Sequence, residues 1–215
     1  MAQIHPQIYG ILIVLACAVA LILLIDVSGS VSNDNIALQR QGIVSALEAP
    51  QVKKTVLSQS GGMAISVIEW SSTSRIILPW YHVKTSQGLD SVIKHLQNEP
   101  TGGGGVTAMG SALQKALEYF HQAPCDAELK IIDVSGDGAN NEGPVPQQFR
   151  DQAQEREITI NGLPIVTYLE PDIADYYQNN VVTHDGFVII AEDFQDFSRA
   201  LRRKLVLEIS RYARH

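Results

Sequence analysis

The sequence predicts an α/β protein with a doubly wound, mostly parallel sheet and helices on both faces. Two observations carry that expectation. From residue 21 onward, short apolar runs of strand length alternate with segments of helical period, the order that builds a parallel sheet covered on both sides. Two of those runs, Leu21–Ile25 and "LKII", end abruptly in acidic, hydroxyl-rich loops, and in such sheets ligands bind just beyond the carboxyl ends of the strands.

The elements follow in order. Leu21–Ile25 reads as a buried first strand, and it enters "DVSGS" (Asp26–Ser30) with no turn residue between. In "NDNIALQRQGIVSALEAP" the residues Ile36, Ile43, Val44 and Leu47 recur at helical spacing, with Asn33 or Asp34 as cap and Pro50 as stop. "MAISVIEW" and "RIILPW", separated by "SSTS", read as an antiparallel hairpin at a sheet edge. "SQGLDSVIKHLQNEP" is a capped helix. "TGGGGVTAMGSALQKALEYF" joins a glycine-rich loop to a helix with Leu113, Ala116, Leu117 and Phe120 on one face. "LKIIDVSGDGANNEG" repeats the opening theme of apolar strand and acidic loop. "PQQFRDQAQERE" (helix), "ITINGLPIVTYL" (strand), "DIADYYQNN" (helix), "GFVIIAED" (strand) and "DFSRALRRKLVLEIS" (helix) complete the alternation.

With 215 residues and 45% hydrophobic content the chain can bury one full core. Its net charge of −7 argues against a nucleic-acid partner, since no basic cluster longer than Arg202–Lys204 offsets it. Cys17 and Cys125 belong to no C-x-x-C pair, and Cys125 reads as a buried thiol. The six histidines, His5, His82, His95, His121, His184 and His215, have no metal-ligand spacing in the sequence. Trp70 and Trp80 read as core or edge packing.

The apolar run Ile8–Ile25 has the length of a membrane helix. If Leu21–Ile25 is a strand, however, the remainder "IYGILIVLACA" has the length of a signal-peptide core, with small residues at cleavage spacing in "ACA" or "AVA". The expected division is a signal peptide over residues 1–18 and a folded domain over 19–215, with a mature start near Val19 or Leu21. That gives a periplasmic or extracellular protein, attached to a membrane only if the N-terminus is retained.

Asp26, Ser28 and Ser30 lie at positions i, i+2 and i+4 after the first strand, and in extended chain such residues point the same way. Thr107 lies in the glycine-rich loop and Asp137 follows "IIDVSG". Two carboxylates and three hydroxyls, with no softer donor, suit a hard cation such as Mg²⁺ or Mn²⁺. Gly29, Gly105 and Gly138 would let the loops approach closely. Asp133, an acid inside an apolar strand, needs a partner if buried, and support of the metal site from behind is the expectation. The four glycines lack the Gly-Lys-Ser/Thr ending of a phosphate loop. "DVSGDG" from Asp133 starts like a calcium loop but has Pro144, not Glu, at position twelve.

"DVSGS", "GVTAMGSAL" and "SGDG" resemble, in order, the three pieces of the metal-ion-dependent adhesion site (MIDAS) of von Willebrand factor A domains. The resemblance covers the chain from about Leu21 to the last helix. It implies that Asp26, Ser28, Ser30, Thr107 and Asp137 are metal ligands, some through water. The wider phrases "IIDVSGDG", "ITINGLPI" and "RRKLVLEIS" are similar to a set of uncharacterised secreted bacterial proteins. One departure is visible: the usual Thr-Asp-Gly is Gly136-Asp137-Gly138 here.

The resemblance implies a protein-binding module, not an enzyme, in which bound Mg²⁺ accepts an acidic side chain from an unknown partner protein. The alternative is a Mg²⁺-dependent phosphatase-like hydrolase with Asp26 as nucleophile. Against it, Ser28 stands where such enzymes carry a second acid, and no loop supplies a lysine. A serine hydrolase fails for want of a G-x-S-x-G turn.

Overall fold

A computed structural model describes residues 16–210. Its centre is a five-stranded sheet of order β3-β2-β1-β4-β5, formed by β1 (Ala16–Asp26), β2 (Met63–Trp70), β3 (Ser74–Val83), β4 (Asp126–Gly136) and β5 (Ile158–Pro164). All pairings are parallel except β2 with the edge strand β3. Ten of the eleven residues of β1 are buried, because the strand has a neighbour on each side and helices over each face.

The helices are α1 (Asn33–Glu48), α2 (Pro50–Leu57), α3 (Ser86–Asn98), α4 (Met109–Tyr119), α5 (Pro146–Glu155), α6 (Ile173–Asn180) and α7 (Phe197–Ser210). One face of the sheet, with Leu21, Leu23, Ile65 and Ile131, packs against α1, α2, α3 and α7. The other, with Ile22, Leu24, Ile132 and Ile160, packs against α4, α5 and α6. The chain therefore leaves β1 toward one face (α1) and β4 toward the other (α5). Where adjacent strands send their connections to opposite sides, a crevice opens at the sheet's carboxyl edge.

Several expectations are corrected. Strand β1 begins at Ala16, so the expected domain boundary after residue 18 falls inside it, and no single helix runs from Ile8 to Ile25. The signal-peptide core upstream of Ala16, together with His5 and His215, lies outside the described residues. Among the described residues no helix is long and apolar enough to cross a membrane. The cap of α1 is Ser32, whose Oγ accepts from the Asn35 amide. Pro50 ends α1 but also opens α2, a helix that the spacing had not shown; proline suits a first helical turn, where its missing N–H is no loss. "GFVIIAED" is not a full strand: it runs beside β5 through two isolated parallel bridges, Val188 with Gly162 and Ala191 with Ile165 just past the end of β5.

The cysteines are also corrected. Cys17 and Cys125 form a disulfide with a Cα–Cα distance of 5.7 Å. The register explains it: Cys17 faces Ala127 across the β1–β4 pair, so the residue just before β4 arrives beside it. A mature chain starting at Val19 or Leu21 would lose this bond and the buried Ala18. The bridge closes a loop across 108 positions, and the double variant Cys17→Ser/Cys125→Ser is expected to lose about 2–4 kcal/mol of unfolding free energy in denaturant titration.

Candidate metal centre

The five sequence-predicted residues come together at the carboxyl edge of β1 and β4. Asp26 is the last residue of β1 and fully buried; its Oδ1 accepts the Ser28 amide at 2.8 Å, which bends the chain so that Ser28 and Ser30 follow it into the crevice. Ser28 Oγ lies 3.3 Å from Ser30 Oγ and 3.4 Å from Thr107 Oγ1. The Ser30 hydroxyl donates to Asp137 Oδ1 at 2.7 Å. Four of the donors thus form one chain of contacts, Thr107–Ser28–Ser30–Asp137, with Asp26 anchored to its middle.

The loops are held by glycines where no side chain fits. The Gly29 amide donates to the Gly105 carbonyl at 2.8 Å, and a Cβ on Gly29 would lie 2.9 Å from that oxygen. Gly105 itself has φ +92°, a conformation L side chains rarely adopt. Gly136, the departure from the family pattern, also has a local reason. A Cβ there would stand 2.6 Å from Asp26 Oδ2 and 2.9 Å from the Tyr177 hydroxyl, so the space a threonine would take is already filled.

Sequence reasoning missed the residues that clamp Thr107. Asn141 Oδ1 accepts the Thr107 amide at 2.9 Å, its own amide donates to the Thr107 carbonyl at 3.0 Å, and Asn140 Oδ1 accepts the Gly110 amide at 3.0 Å. Tyr176 in turn accepts the Asn140 amide at 3.1 Å. The pair "NN" just after Asp137 was the available signal: asparagine side chains commonly cap backbone amides in loops.

Burial pushes the Asp26 carboxyl up to about 7, against the Ser28 hydrogen bonds that lower it, and the charge of Asp137 adds to the rise. Asp137 is raised as well, again by burial, with the Ser30 hydroxyl opposing. Two buried acids close together favour protonation when no cation is near. Asp26 Oδ2 is buried without a hydrogen-bond partner. An orphaned carboxylate oxygen next to hydroxyls and a second carboxylate is a position that a hard cation satisfies, so the residues present fit a divalent ion.

The cleft above these residues has a volume of about 760 Å³ and a rim that includes Asp137, Tyr168, Leu169, Glu170, Glu192 and Asp193. No Lys, Arg or His lines it among the described residues. Tyr168 is 96% and Leu169 78% exposed.

Asp133 does not serve this centre. It faces the opposite side of the sheet, where Lys204 Nζ of α7 lies 2.7 Å from Asp133 Oδ1 and donates to Glu208 Oε1 at 2.6 Å. Asn161 Nδ2 also donates to Glu208 Oε1, at 2.7 Å. The buried acid has its partner, a lysine 71 positions along the chain.

Comparison with known proteins agrees with this architecture. The chain is similar over 90% of its length to proximal thread matrix protein 1 from the mussel byssus, in a structure with a zinc-occupied MIDAS motif (TM-score 0.68, 20% identity); it spans 48% of that protein. It is similar to BatB from Bacteroides thetaiotaomicron (TM-score 0.60, 18% identity, 92% of this chain and 100% of that one). It also resembles a von Willebrand factor type A structure from Catenulispora acidiphila (TM-score 0.60, 21% identity, 90% of this chain and 43% of that one). No curated protein matches the sequence. A family model described as "Protein of unknown function (DUF1194)" matches residues 16–213, so the chain belongs to that family, and its fold is that of a von Willebrand factor A domain.

Proposed function

We propose that the chain is a divalent-metal-dependent protein-binding module of the adhesion type, with Asp26, Ser28, Ser30, Thr107 and Asp137 holding Mg²⁺ or Mn²⁺, some through water. The observation that carries this reading is the buried, unpartnered Asp26 Oδ2 beside a contiguous set of oxygen donors. When bound, the cation supplies positive charge and exchangeable coordination positions. The hydroxyls of Ser28, Ser30 and Thr107 bring no charge of their own, so the centre keeps an attraction for one more carboxylate, from a partner protein. That zinc occupies the MIDAS motif of a byssus protein with the same fold supports a divalent ion here.

The rim refines the partner. Asp137, Glu170, Glu192 and Asp193 make the cleft acidic, so it repels an approaching carboxylate until a cation is in place. The same acids favour a partner whose acidic residue is flanked by basic ones, and Tyr168 and Leu169 offer that segment an apolar contact. Tyr168→Ala and Leu169→Ala are expected to leave unfolding free energy within about 0.5 kcal/mol of the parent, while weakening metal-dependent capture of the partner. A loss of stability beyond that range would show that the two residues serve the fold instead.

The test of the centre is Mn²⁺ binding read by water-proton relaxation. One ion per chain is expected, with binding lost in Asp137→Ala; no binding at millimolar Mn²⁺ would overturn the reading. Hydrolysis is not expected, because the cleft lining offers neither a lysine nor a histidine to a phosphoryl group. Metal-dependent turnover of a phosphomonoester that disappears in Asp26→Asn would favour the phosphatase alternative instead.

The Cys17–Cys125 bond supports an oxidising location, periplasmic or extracellular. N-terminal processing compatible with this fold falls before Ala16 rather than at Val19.

A further inference from the structure

The end of the sheet opposite the cleft carries a second constellation. Cys17, Cys125 and His82 bring two sulfurs and one imidazole nitrogen within 4.8 Å of one another. The sequence hides it, since the three come from the start of β1, the approach to β4 and the end of β3. Topology joins them. Cys17 lies beside Ala127 in the β1–β4 register, and His82 lies opposite Ala64 on β2, at the same end of the sheet.

Two glycines form the tight turn beside the ring. Gly61 and Gly62 have φ of +71° and +85°; a Cβ on Gly61 would lie 2.6 Å from the Ala16 carbonyl oxygen, and one on Gly62 would lie 3.2 Å from His82 Nε2. The His82 Nε2 is 2.8 Å from the Gly61 carbonyl oxygen, which accepts its proton and leaves the lone pair on Nδ1. A backbone carbonyl that fixes the tautomer in this way is the usual support of a metal-binding histidine. Cys17 and Cys125 are buried, and His82 is the half-exposed member.

We propose that the reduced form of this corner is a Cys₂His site for Zn²⁺. A dithiol reductant delivers two electrons and two protons to the Cys17–Cys125 bond and leaves as its own disulfide; the two thiols then each release one proton as Zn²⁺ binds both sulfurs and the His82 ring. The geometry asks for little movement. Tetrahedral zinc with Zn–S near 2.3 Å sets the sulfurs roughly 3.8 Å apart, a separation that side-chain rotation can supply between Cα atoms 5.7 Å apart. The fourth position is left to water on the half-exposed histidine side. Thiolate and imidazole ligands select zinc over Mg²⁺, whereas the cleft, with oxygen donors only, has the opposite preference. Cys17 and Asp26 stand at opposite ends of β1, roughly 30 Å apart at ~3.3 Å per residue, so the two sites are separate. Zinc would hold β1 to the approach of β4 whenever the disulfide is open, as it is before oxidation.

The experiment uses the full chain carrying Asp137→Ala, which removes the oxygen site, reduced with a phosphine until two free thiols are counted. Added Co²⁺, as a spectroscopic stand-in for zinc, is expected to give a sulfur-to-cobalt absorption band in the near ultraviolet at one ion per chain. Zn²⁺ should quench that band and raise the melting temperature of the reduced protein but not of the oxidised one. Cys17→Ser and Cys125→Ser should each abolish the two-sulfur spectrum, and His82→Ala should weaken binding at least tenfold. If reduction unfolds the domain, Zn²⁺ should restore its circular dichroism. Absence of the band, binding that His82→Ala leaves unchanged, or failure of zinc to restore a reduced and unfolded chain would each overturn the proposal and leave the disulfide as a staple alone.

Discussion

Replacing Lys204 by methionine is expected to destabilise the fold by about 3–5 kcal/mol, the usual cost of removing one partner from a buried ion pair. Lys204, Asp133 and Glu208 are each no more than 1% exposed, so neither acid can turn to water when the ammonium is gone. Burial, followed by the charge of Asp133, pushes the Glu208 carboxyl up even with the lysine present, and burial raises Asp133 against the attraction of Lys204. In the methionine variant both carboxyls gain by taking protons. Acids whose folded pKa is raised stabilise the fold at low pH and lose that contribution as pH rises through the folded value, so the deficit of the variant should be larger at pH 8 than at pH 5. At roughly 2–4 °C per kcal/mol for a chain of this size, the melting temperature should fall by about 10 °C at pH 8. The triple variant Lys204→Met/Asp133→Asn/Glu208→Gln removes all three charges and should recover most of the loss. A methionine variant within about 0.5 kcal/mol of the parent, a range ordinary for surface changes, would mean that Asp133 and Glu208 are held neutral or reached by water.

That cluster also shows where the sequence stops being readable. An acid in "IIDVS" announces a need for a partner, but not which one, because the lysine that answers it lies beyond α5, β5 and α6, on α7. The Cys17–Cys125 bond is hidden for the same reason: only the β1–β4 register brings the two residues together. By contrast the crevice was legible. Asp26, Ser28 and Ser30 are neighbours in the chain, and the rule that ligands gather at the carboxyl edge where connections diverge places Thr107 and Asp137 beside them. What local pattern misjudged was punctuation. Pro50 reads as a stop because a proline inside a helix breaks it, yet at the first turn of α2 its missing N–H is no loss. Likewise "GFVIIAED" has strand composition, but it makes only two isolated bridges, Val188 with Gly162 of β5 and Ala191 with Ile165 beyond it, so apolar content did not produce a continuous ladder.

The response of the centre to pH and metal should be larger than any effect at its rim. Without metal, burial holds the Asp26 carboxyl at about 7 against an ordinary value of 3.8. Because this folded value is raised, the protonated form stabilises the fold fully below the unfolded pKa, and the contribution is lost as pH climbs from about 4 through 7. A shift of that size corresponds to on the order of 4 kcal/mol at 1.36 kcal/mol per unit. Asp137, raised in the same direction by burial, adds to the trend. The metal-free protein should therefore melt at a lower temperature at pH 8 than at pH 5.5, and Asp26→Asn, which keeps the shape without the charge, should flatten that difference and raise the pH 8 value. Metal reverses the sign. A divalent ion needs the ionised carboxylate, so its affinity should fall about tenfold per pH unit below 7. Mg²⁺ at a hundred times its dissociation constant, as set at pH 8, stabilises by about 2.7 kcal/mol; at pH 5.5, where affinity is about thirtyfold weaker, the same concentration should give about 0.9 kcal/mol, a third of that gain. Asp26→Asn should show no metal-induced shift at either pH. Melting curves of parent and variant at the two pH values, with Mg²⁺ and with EDTA, decide the matter. A metal-induced shift of equal size at pH 5.5 and 8, or one that survives in Asp26→Asn, would mean that the ion does not bind through this carboxylate.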